Sequence, residues 1–399
     1  MRIPLLWLRD ACRCPRCVDP HSGQKYFSTI DLPNKPKVRS ASFTSVWGLR
    51  VVWESDNLVK SGATEADEHT GVWSKNSLIS WQADHGLRTP HALSPERTLW
   101  TRDSYTALLS AGATRFSYAD WNDDRGQAEF RKSLEALRDT GLIFLTGVKE
   151  HSAKKSLVYS VARKFGSPMW TFYGMQWDVK SKPHAENVAY TSQFLGLHQD
   201  LMYHDPIPRL QFLACVSNSC NGGESLFSDG VRAAYQLKLT RPDLYKVLTK
   251  PTARFHYYRH GGQSHYYERA HSTITEGEAG RVESTQWAPP FQAPFPRKAD
   301  LAEWKEAAAA FEAILSAPEN MFTYKLNPGD VVVFDNTRIL HGRNEFRTTE
   351  GKRHLQGMYL SDQDFKLQLR LLNNSRRWEV LPDVPEFRRK VVEGELWQV

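Results

Sequence analysis

His198 and Asp200 stand two residues apart, and His341 follows Asp200 by 141 residues. If these three share one metal ion, the fold must carry two distant stretches of chain to the same point. Two imidazoles and a carboxylate on one face suit Fe(II) and leave three coordination positions open. Arg353 lies 12 residues beyond His341. Its planar guanidinium suits the far carboxylate of a bidentate 2-oxo acid. A jelly-roll barrel satisfies the spacing, because an early-strand H-x-D and a late-strand His meet at one mouth of such a barrel. The residues therefore predict an Fe(II)-, 2-oxo-acid- and O2-dependent oxygenase, with His198, Asp200 and His341 as metal ligands. No Ser-His-Asp or Cys-His nucleophile pattern is needed for that chemistry.

The rest of the chain is compatible with such a fold. A length of 399 residues allows one large domain and a smaller one. Short strand-like runs dominate: Tyr26–Ile30, Ala41–Val46, Leu49–Trp53, Leu142–Val148, Leu210–Val216 and His354–Leu360. Phe255–Arg259 and His265–Arg269 read as a hairpin around Gly261-Gly262. Met321–Leu326 and Val331–Phe334, joined by Asn327-Pro328-Gly329-Asp330, read as a second hairpin-like unit. Helices are expected at Gln127–Thr140, ended by Gly141, at Ala153–Phe165, and from Asp300, with Glu303 as its capping-box partner, to Leu315. A short helix is expected to open at Thr240-Arg241-Pro242-Asp243 with Thr240 as its cap. Leu87–Trp100 reads as a connector. Many short strands with a few helices predict a mainly β protein, a double-stranded β-helix with helical buttresses, preceded by a small β domain. The boundary is expected near residue 95, giving domains 1–95 and 96–399.

Charge narrows the partners. The 52 basic and 45 acidic residues leave a net +7 spread along the chain, which reads as a solvated surface and not as a nucleic-acid groove. No apolar run approaches the roughly 20 residues that span a bilayer, and the N-terminus lacks a secretory pattern. The expectation is a cytoplasmic protein with neither nucleic acid nor membrane as partner.

Five cysteines are present, and Cys12, Cys14 and Cys17 fall within six positions. That grouping reads as a metal site in a reducing compartment and not as a disulfide framework. Three thiolates with one imidazole suit tetrahedral structural Zn(II). His21, His69, His85 and His91 are candidates for the fourth ligand.

Several motifs together resemble the γ-butyrobetaine and trimethyllysine dioxygenases, a family of Fe(II)- and 2-oxoglutarate-dependent oxygenases. They are Trp7-Leu8-Arg9-Asp10 leading into the cysteines, Thr171-Phe172-Tyr173-Gly174 with Trp177, and Asn187-Val188-Ala189-Tyr190-Thr191. Further along come His198-Gln199-Asp200, Gly222-Gly223-Glu224-Ser225, Asn327-Pro328-Gly329-Asp330 and Arg353-His354-Leu355. The resemblance runs almost end to end. It implies a double-stranded β-helix core, a small N-terminal zinc domain and a homodimer. It implies His69 as the fourth zinc ligand and places Leu213 with Arg353 at the 2-oxoglutarate site. It also implies an aromatic pocket for a quaternary ammonium group, through cation–π attraction. Tyr173, Trp177, Tyr190 and Tyr359 match pocket positions, and Asn187 matches a polar substrate contact.

Two departures from that family stand out. The residue after the H-x-D motif, often Tyr in butyrobetaine hydroxylases, is Leu201. A stretch that supplies a second carboxylate-binding Asn reads Gln286-Trp287-Ala288-Pro289-Pro290-Phe291. The expected function is therefore oxidation of an unactivated C–H bond in a small amino-acid-like or ammonium substrate, with release of succinate and CO2. A biosynthetic hydroxylation or ring closure on a free amino acid fits the altered pocket. Carnitine-pathway hydroxylation, protein methyl-lysine oxidation and a non-catalytic metal-binding role are the alternatives.

Overall fold

A computed structural model describes residues 3–19, 21–44, 48–54, 69–75, 78, 97–123, 127–149, 156–180, 192–259, 265–277, 280–297, 299–347, 349 and 351–380. The chain divides into two compact units, Met1–Ser94 with Asn373–Val399, and Pro95–Leu372.

The first unit holds a short helix, Leu5–Asp10, and three strands, β1 (Val38–Thr44), β2 (Gly48–Trp53) and β3 (Thr70–Trp73), in one antiparallel sheet of order β1-β2-β3. Its core gathers Leu8, Phe27, Val51, Trp53 and Trp73 around Cys12, Cys14 and Cys17. Trp53 and Trp73 meet edge to face at 6.3 Å. So small an apolar core needs a staple. The strand expected at Tyr26–Ile30 does not form. Ser28 and Asp31 cap a 3-10 turn over Thr29–Asp31 instead, the Ser28 N–H donating to Asp31 Oδ2 at 2.9 Å. Side chains that bond the local backbone in this way compete with a strand ladder.

The second unit is built on two sheets. Its strands are β4 (Arg115–Ser117), β5 (Leu142–Thr146), β6 (Gln176–Lys180), β7 (Leu195–His198), β8 (Leu210–Asn218), β9 (Ser225–Asp229), β10 (Ala253–Arg259), β11 (His265–His271), β12 (Ile274–Glu276), β13 (Val282–Thr285), β14 (Phe322–Tyr324), β15 (Val331–Asp335), β16 (Ile339–Arg343) and β17 (Arg353–Leu360). One sheet runs β4-β5-β15-β8-β17-β6 and the other β14-β9-β16-β7. Phe144, Leu213, Val332 and Phe334 of the first pack with Phe227, Phe322 and Ile339 of the second. This is the double-stranded β-helix that the sequence predicts. β10 pairs antiparallel with β11 as expected, Gly261-Gly262 between them lying outside the described residues, and β12 pairs with β13.

Helix Ala128–Thr140 ends at Gly141, which takes the left-handed φ of 76° that favours glycine at a helix C-terminus. Helix Leu301–Leu315 starts on Asp300, whose carboxylate accepts from the Glu303 N–H at 2.9 Å. Helix Leu157–Phe165 covers the second half of its expected span; residues 151–155 lie outside the described ones.

Two local expectations are corrected. Phe322–Tyr324 and Val331–Asp335 are not partners: β14 pairs with β9, whereas β15 sits between β5 and β8. The run Val331-Val332-Val333-Phe334 is buried throughout, as a central strand must be. The Asp330 carboxylate accepts the Asn327 N–H at 2.9 Å and closes a turn that passes the chain from one sheet to the other. Thr240 is likewise not a cap. It ends helix Gly230–Thr240, its hydroxyl donating to the Gln236 carbonyl at 2.9 Å, and Arg241 takes the cap position before helix Pro242–Leu248. The earlier helix is capped by Asp229. Asp229 also forms an ion pair with Arg338 at 2.7 Å, both side chains essentially without solvent contact. Arg338 donates further to the carbonyls of Asp139 and Thr98, each at 2.7 Å. With its donors so occupied, this buried charge ties the β15–β16 turn to β9.

Candidate active site

Strand pairing brings the two histidines together. β16 lies antiparallel to β7 with His341 opposite His198, and their rings are 4.3 Å apart. Asp200 follows the end of β7. Its backbone is fixed by Asn336, which accepts the Asp200 N–H at 2.9 Å and donates to the Asp200 carbonyl at 2.9 Å. Between the ligand positions, Gln199 turns away and bonds the Asn336 carbonyl and the Trp287 N–H. Leu201 then takes a left-handed φ of 58°, which costs a non-glycine residue about 1 kcal/mol. Strain held beside a reactive group is a mark of functional sites.

His198 Nε2 stands 3.4 Å from Asp200 Oδ1, and His341 Nε2 stands 4.0 Å from Asp200 Oδ2. His198 Nδ1 lies 2.9 Å from the Gly196 carbonyl. That bond places the proton on Nδ1 and leaves the Nε2 lone pair for a metal. Burial, together with the neighbouring His198, pushes His341 down to about 3, so its imidazole is neutral near pH 7. Burial by itself would raise the Asp200 carboxyl. Interaction with the His198 and His341 imidazoles and the hydrogen bond donated by the Tyr359 hydroxyl outweigh it and hold Asp200 well below the ordinary carboxylate range. Two imidazoles and one ionised carboxylate, converging in this way, are the donor set that Fe(II) takes.

These groups open onto a cleft of about 850 Å³, its solvent-facing mouth included. Arg353, Leu355 and Tyr359 alternate along β17 toward it, and Gln211 and Leu213 do so along β8. Arg353 is buried and lies over the Phe346 ring at 5.7 Å. Burial pushes it down only to about 10, so it is a cation at neutral pH. Arg343, also buried, lines the same cleft. Another part of the lining is aromatic. Trp177 stacks on Tyr359 with centroids 4.2 Å apart, and Tyr173 and Tyr203 complete that side with Leu201, Pro290 and Phe291. Gly357 makes the stack possible, because a Cβ there would collide with the Trp177 ring.

The structure thus brings His198, Asp200, His341, Arg353, Leu213, Tyr173, Trp177, Leu201 and Tyr359 to one cleft. Asn187 and Tyr190 lie outside the described residues. The sequence reading missed Gln211, Asn336, Tyr203 and Arg343. Of these, only Asn336 carried a local signal, as the last residue of the Phe-Asp-Asn run before His341.

The cysteine cluster forms a second donor set. Cys12, Cys14, Cys17 and His69 are all buried, with single ligand atoms of all four within 4.8 Å of one another. His69 Nε2 is 3.0 Å from Cys17 Sγ and 3.7 Å from Cys12 Sγ. Tetrahedral Zn–S and Zn–N bonds of about 2.3 and 2.0 Å need ligand atoms roughly 3.5 Å apart, so this set fits zinc. Arg9, fully buried, donates to Cys17 Sγ at 3.3 Å. Its charge with that of a bound Zn(II) would balance three thiolates. Of the other candidate ligands, His21 is exposed, and His85 and His91 lie outside the described residues.

Comparison with known proteins agrees with this geometry. The family model for taurine catabolism dioxygenases, TauD/TfdA, matches residues 103–359. The chain belongs to the TauD/TfdA dioxygenase family. A second model, for the N-terminal region of gamma-butyrobetaine hydroxylase-like proteins, matches residues 1–62. The dioxygenase str8 of Strobilurus tenacellus is 33% identical over 90% of this chain and 82% of its own length. Gamma-butyrobetaine dioxygenase of Pseudomonas sp. (strain AK-1) is 29% identical over 89% of this chain and 86% of its own. The mitochondrial trimethyllysine dioxygenase of Homo sapiens is 26% identical over 93% and 83%. As a TauD/TfdA member, this protein is a 2-oxoglutarate-dependent non-haem iron dioxygenase, requiring Fe(II), 2-oxoglutarate and O2. The resemblance read from the motifs is borne out, as are the fold class and the general activity. Among the described residues, no helix is long and apolar enough to cross a membrane.

Proposed function

We propose that this TauD/TfdA dioxygenase oxidises an unactivated C–H bond of a small amino-acid-like or quaternary ammonium molecule seated against the aromatic wall of the cleft. His198, Asp200 and His341 hold the iron, and Arg353, beside Leu213, receives the distal carboxylate of 2-oxoglutarate. The observation that carries this reading is the convergence of the three ligands and a buried, charged Arg353 on one cleft. Bound Fe(II) supplies O2 activation coupled to oxidative decarboxylation of 2-oxoglutarate to succinate and CO2. The chain's own residues bind and orient. Arg353 neutralises the co-substrate's far end, and the Trp177–Tyr359 stack limits where a substrate carbon can sit. Burial of His198 and His341 limits the access of water to them. The aromatic wall and the relatives named for gamma-butyrobetaine and trimethyllysine support the substrate class. Leu201 and Pro290-Phe291 in the wall favour a biosynthetic substrate other than a betaine.

The direct test is succinate release with Fe(II), ascorbate and 2-oxoglutarate, screened over γ-butyrobetaine, trimethyllysine and the free amino acids, with product masses. Substrate-dependent succinate is expected, and none across the panel would sink the substrate class. Arg353→Leu is expected to raise KM for 2-oxoglutarate roughly a hundredfold, the loss of a charge-assisted pair of about 3 kcal/mol. An unchanged KM would remove Arg353 from its role.

Residues 1–95 are proposed as a zinc-binding domain held by Cys12, Cys14, Cys17 and His69, and residues 96–399 as the oxygenase domain. A homodimer in the cytoplasm is the proposed state, on the resemblance to the butyrobetaine family. Sedimentation of the purified protein should give twice the chain's 45.8 kDa, and a monomer mass would refute the dimer.

A further inference from the structure

We infer that Tyr359 and Gln211 are positioning residues for the iron ligand Asp200: together they occupy its Oδ2 and leave Oδ1 as the single oxygen offered to the metal. The inference rests on the reading of His198, Asp200 and His341 as the iron ligands. Gln211 Nε2 donates to Asp200 Oδ2 at 2.8 Å, and the Tyr359 hydroxyl donates to the same oxygen at 2.7 Å. An ionised carboxylate oxygen accepts about two such bonds, so Oδ2 is saturated. Oδ1 lies 3.4 Å from His198 Nε2, and the hydrogen-bonded Oδ2 lies farther, 4.0 Å, from His341 Nε2. The amide orientation of Gln211 follows from chemistry, since a carboxylate accepts and only the NH2 group can donate to it.

The two donors are rigid for a reason visible in the topology. Gln211 and Tyr359 are register partners on β8 and β17, so they project from adjacent strands toward the same side. Tyr359 is also clamped by the Trp177 stack. Asn336 holds the Asp200 backbone at the same time, leaving the carboxylate little freedom except rotation about its own bonds. The two hydrogen bonds remove that rotation. Without them, a carboxylate can chelate through both oxygens and close one of the three positions that 2-oxoglutarate and O2 require. Tyr359 thus has a second task besides forming the substrate wall: its ring faces Trp177 and its hydroxyl holds a metal ligand.

The test uses Co(II) titration of the zinc-loaded full-length protein, reading both the dissociation constant and the visible d–d spectrum. Tyr359→Phe keeps the ring and its stack but removes the donor. It is expected to weaken Co(II) binding roughly tenfold, and Tyr359→Phe with Gln211→Leu about a hundredfold, the range in which lost partners of metal ligands fall. The d–d band should change intensity, reporting a changed coordination number, while thermal unfolding of the protein without Co(II) stays within a few degrees of wild type. A double variant with the wild-type constant and spectrum would overturn the inference, provided His198→Ala abolishes binding. Equal Co(II) binding by wild type and His198→Ala would overturn the iron-site reading, and the inference with it. If the double variant does not fold, Tyr359→Phe alone decides, because its stack is retained.

Discussion

His341→Ala is expected to abolish substrate oxidation, by roughly a thousandfold or more, equivalent to about 4 kcal/mol of barrier, while the fold survives. His341 sits in the middle of β16, opposite His198 and 4.9 Å from the Phe334 ring. Alanine keeps the strand's backbone ladder to β7 and β9 intact. Among the described residues no hydrogen-bond partner reaches His341 Nδ1, so truncation orphans no donor or acceptor there. What is lost is one of three metal donors, and two donors do not hold Fe(II) in the geometry that keeps three adjacent positions open. Succinate release and circular-dichroism melting, measured on the same preparation, check both halves. Turnover above a tenth of wild type would show that His341 is not a ligand. A collapse in melting temperature would show that its role is structural.

The site was legible where chemistry restricts residue types, and illegible where only topology gives a residue its role. His198, Asp200, His341 and Arg353 are recognisable at long separation because few side chains bind iron or clamp a dicarboxylate. Gln211 has no such signature: as a lone Gln in the apolar run Leu210–Val216 it reads as an exception in a buried strand. Only the β8–β17 register, which sets it beside Tyr359, gives it a carboxylate to hold. Tyr203 and Phe291 reach the cleft from segments outside the sheets, which periodicity does not describe. The misread hairpin at Met321–Phe334 has the same origin. Two runs joined by a tight turn suggest pairing with each other, but Val331–Phe334 is apolar on both faces and belongs in a sheet centre. Read for burial instead of turn chemistry, that run pointed to its true place.

Removal of Cys14, a proposed zinc ligand, should act in the opposite way to His341→Ala. Cys14→Ser is expected to destabilise the first unit by at least about 3 kcal/mol, the severe end of single substitutions, lowering its melting temperature by roughly 15 °C. The physical reason is the composition of that core. Cys12, Cys14 and Cys17 are not beside the core of the first unit but within it, packed against Leu8, Val51, Trp53 and Trp73. Ionised thiolates are stable in such a place only when a metal and the buried Arg9 balance them. Zinc bound by these four residues would therefore contribute folding free energy to this unit. A strong chelator should reproduce the loss in the wild type and have little further effect on Cys14→Ser. Trp53, whose ring lies 6.3 Å from His69, gives a local fluorescence report. Equal melting of Cys14→Ser and wild type, with or without chelator, would mean that the four residues hold no structural metal. Equal destabilisation by Cys14→Ser and His341→Ala would refute the division of labour between a metal that builds the fold and a metal that performs the chemistry.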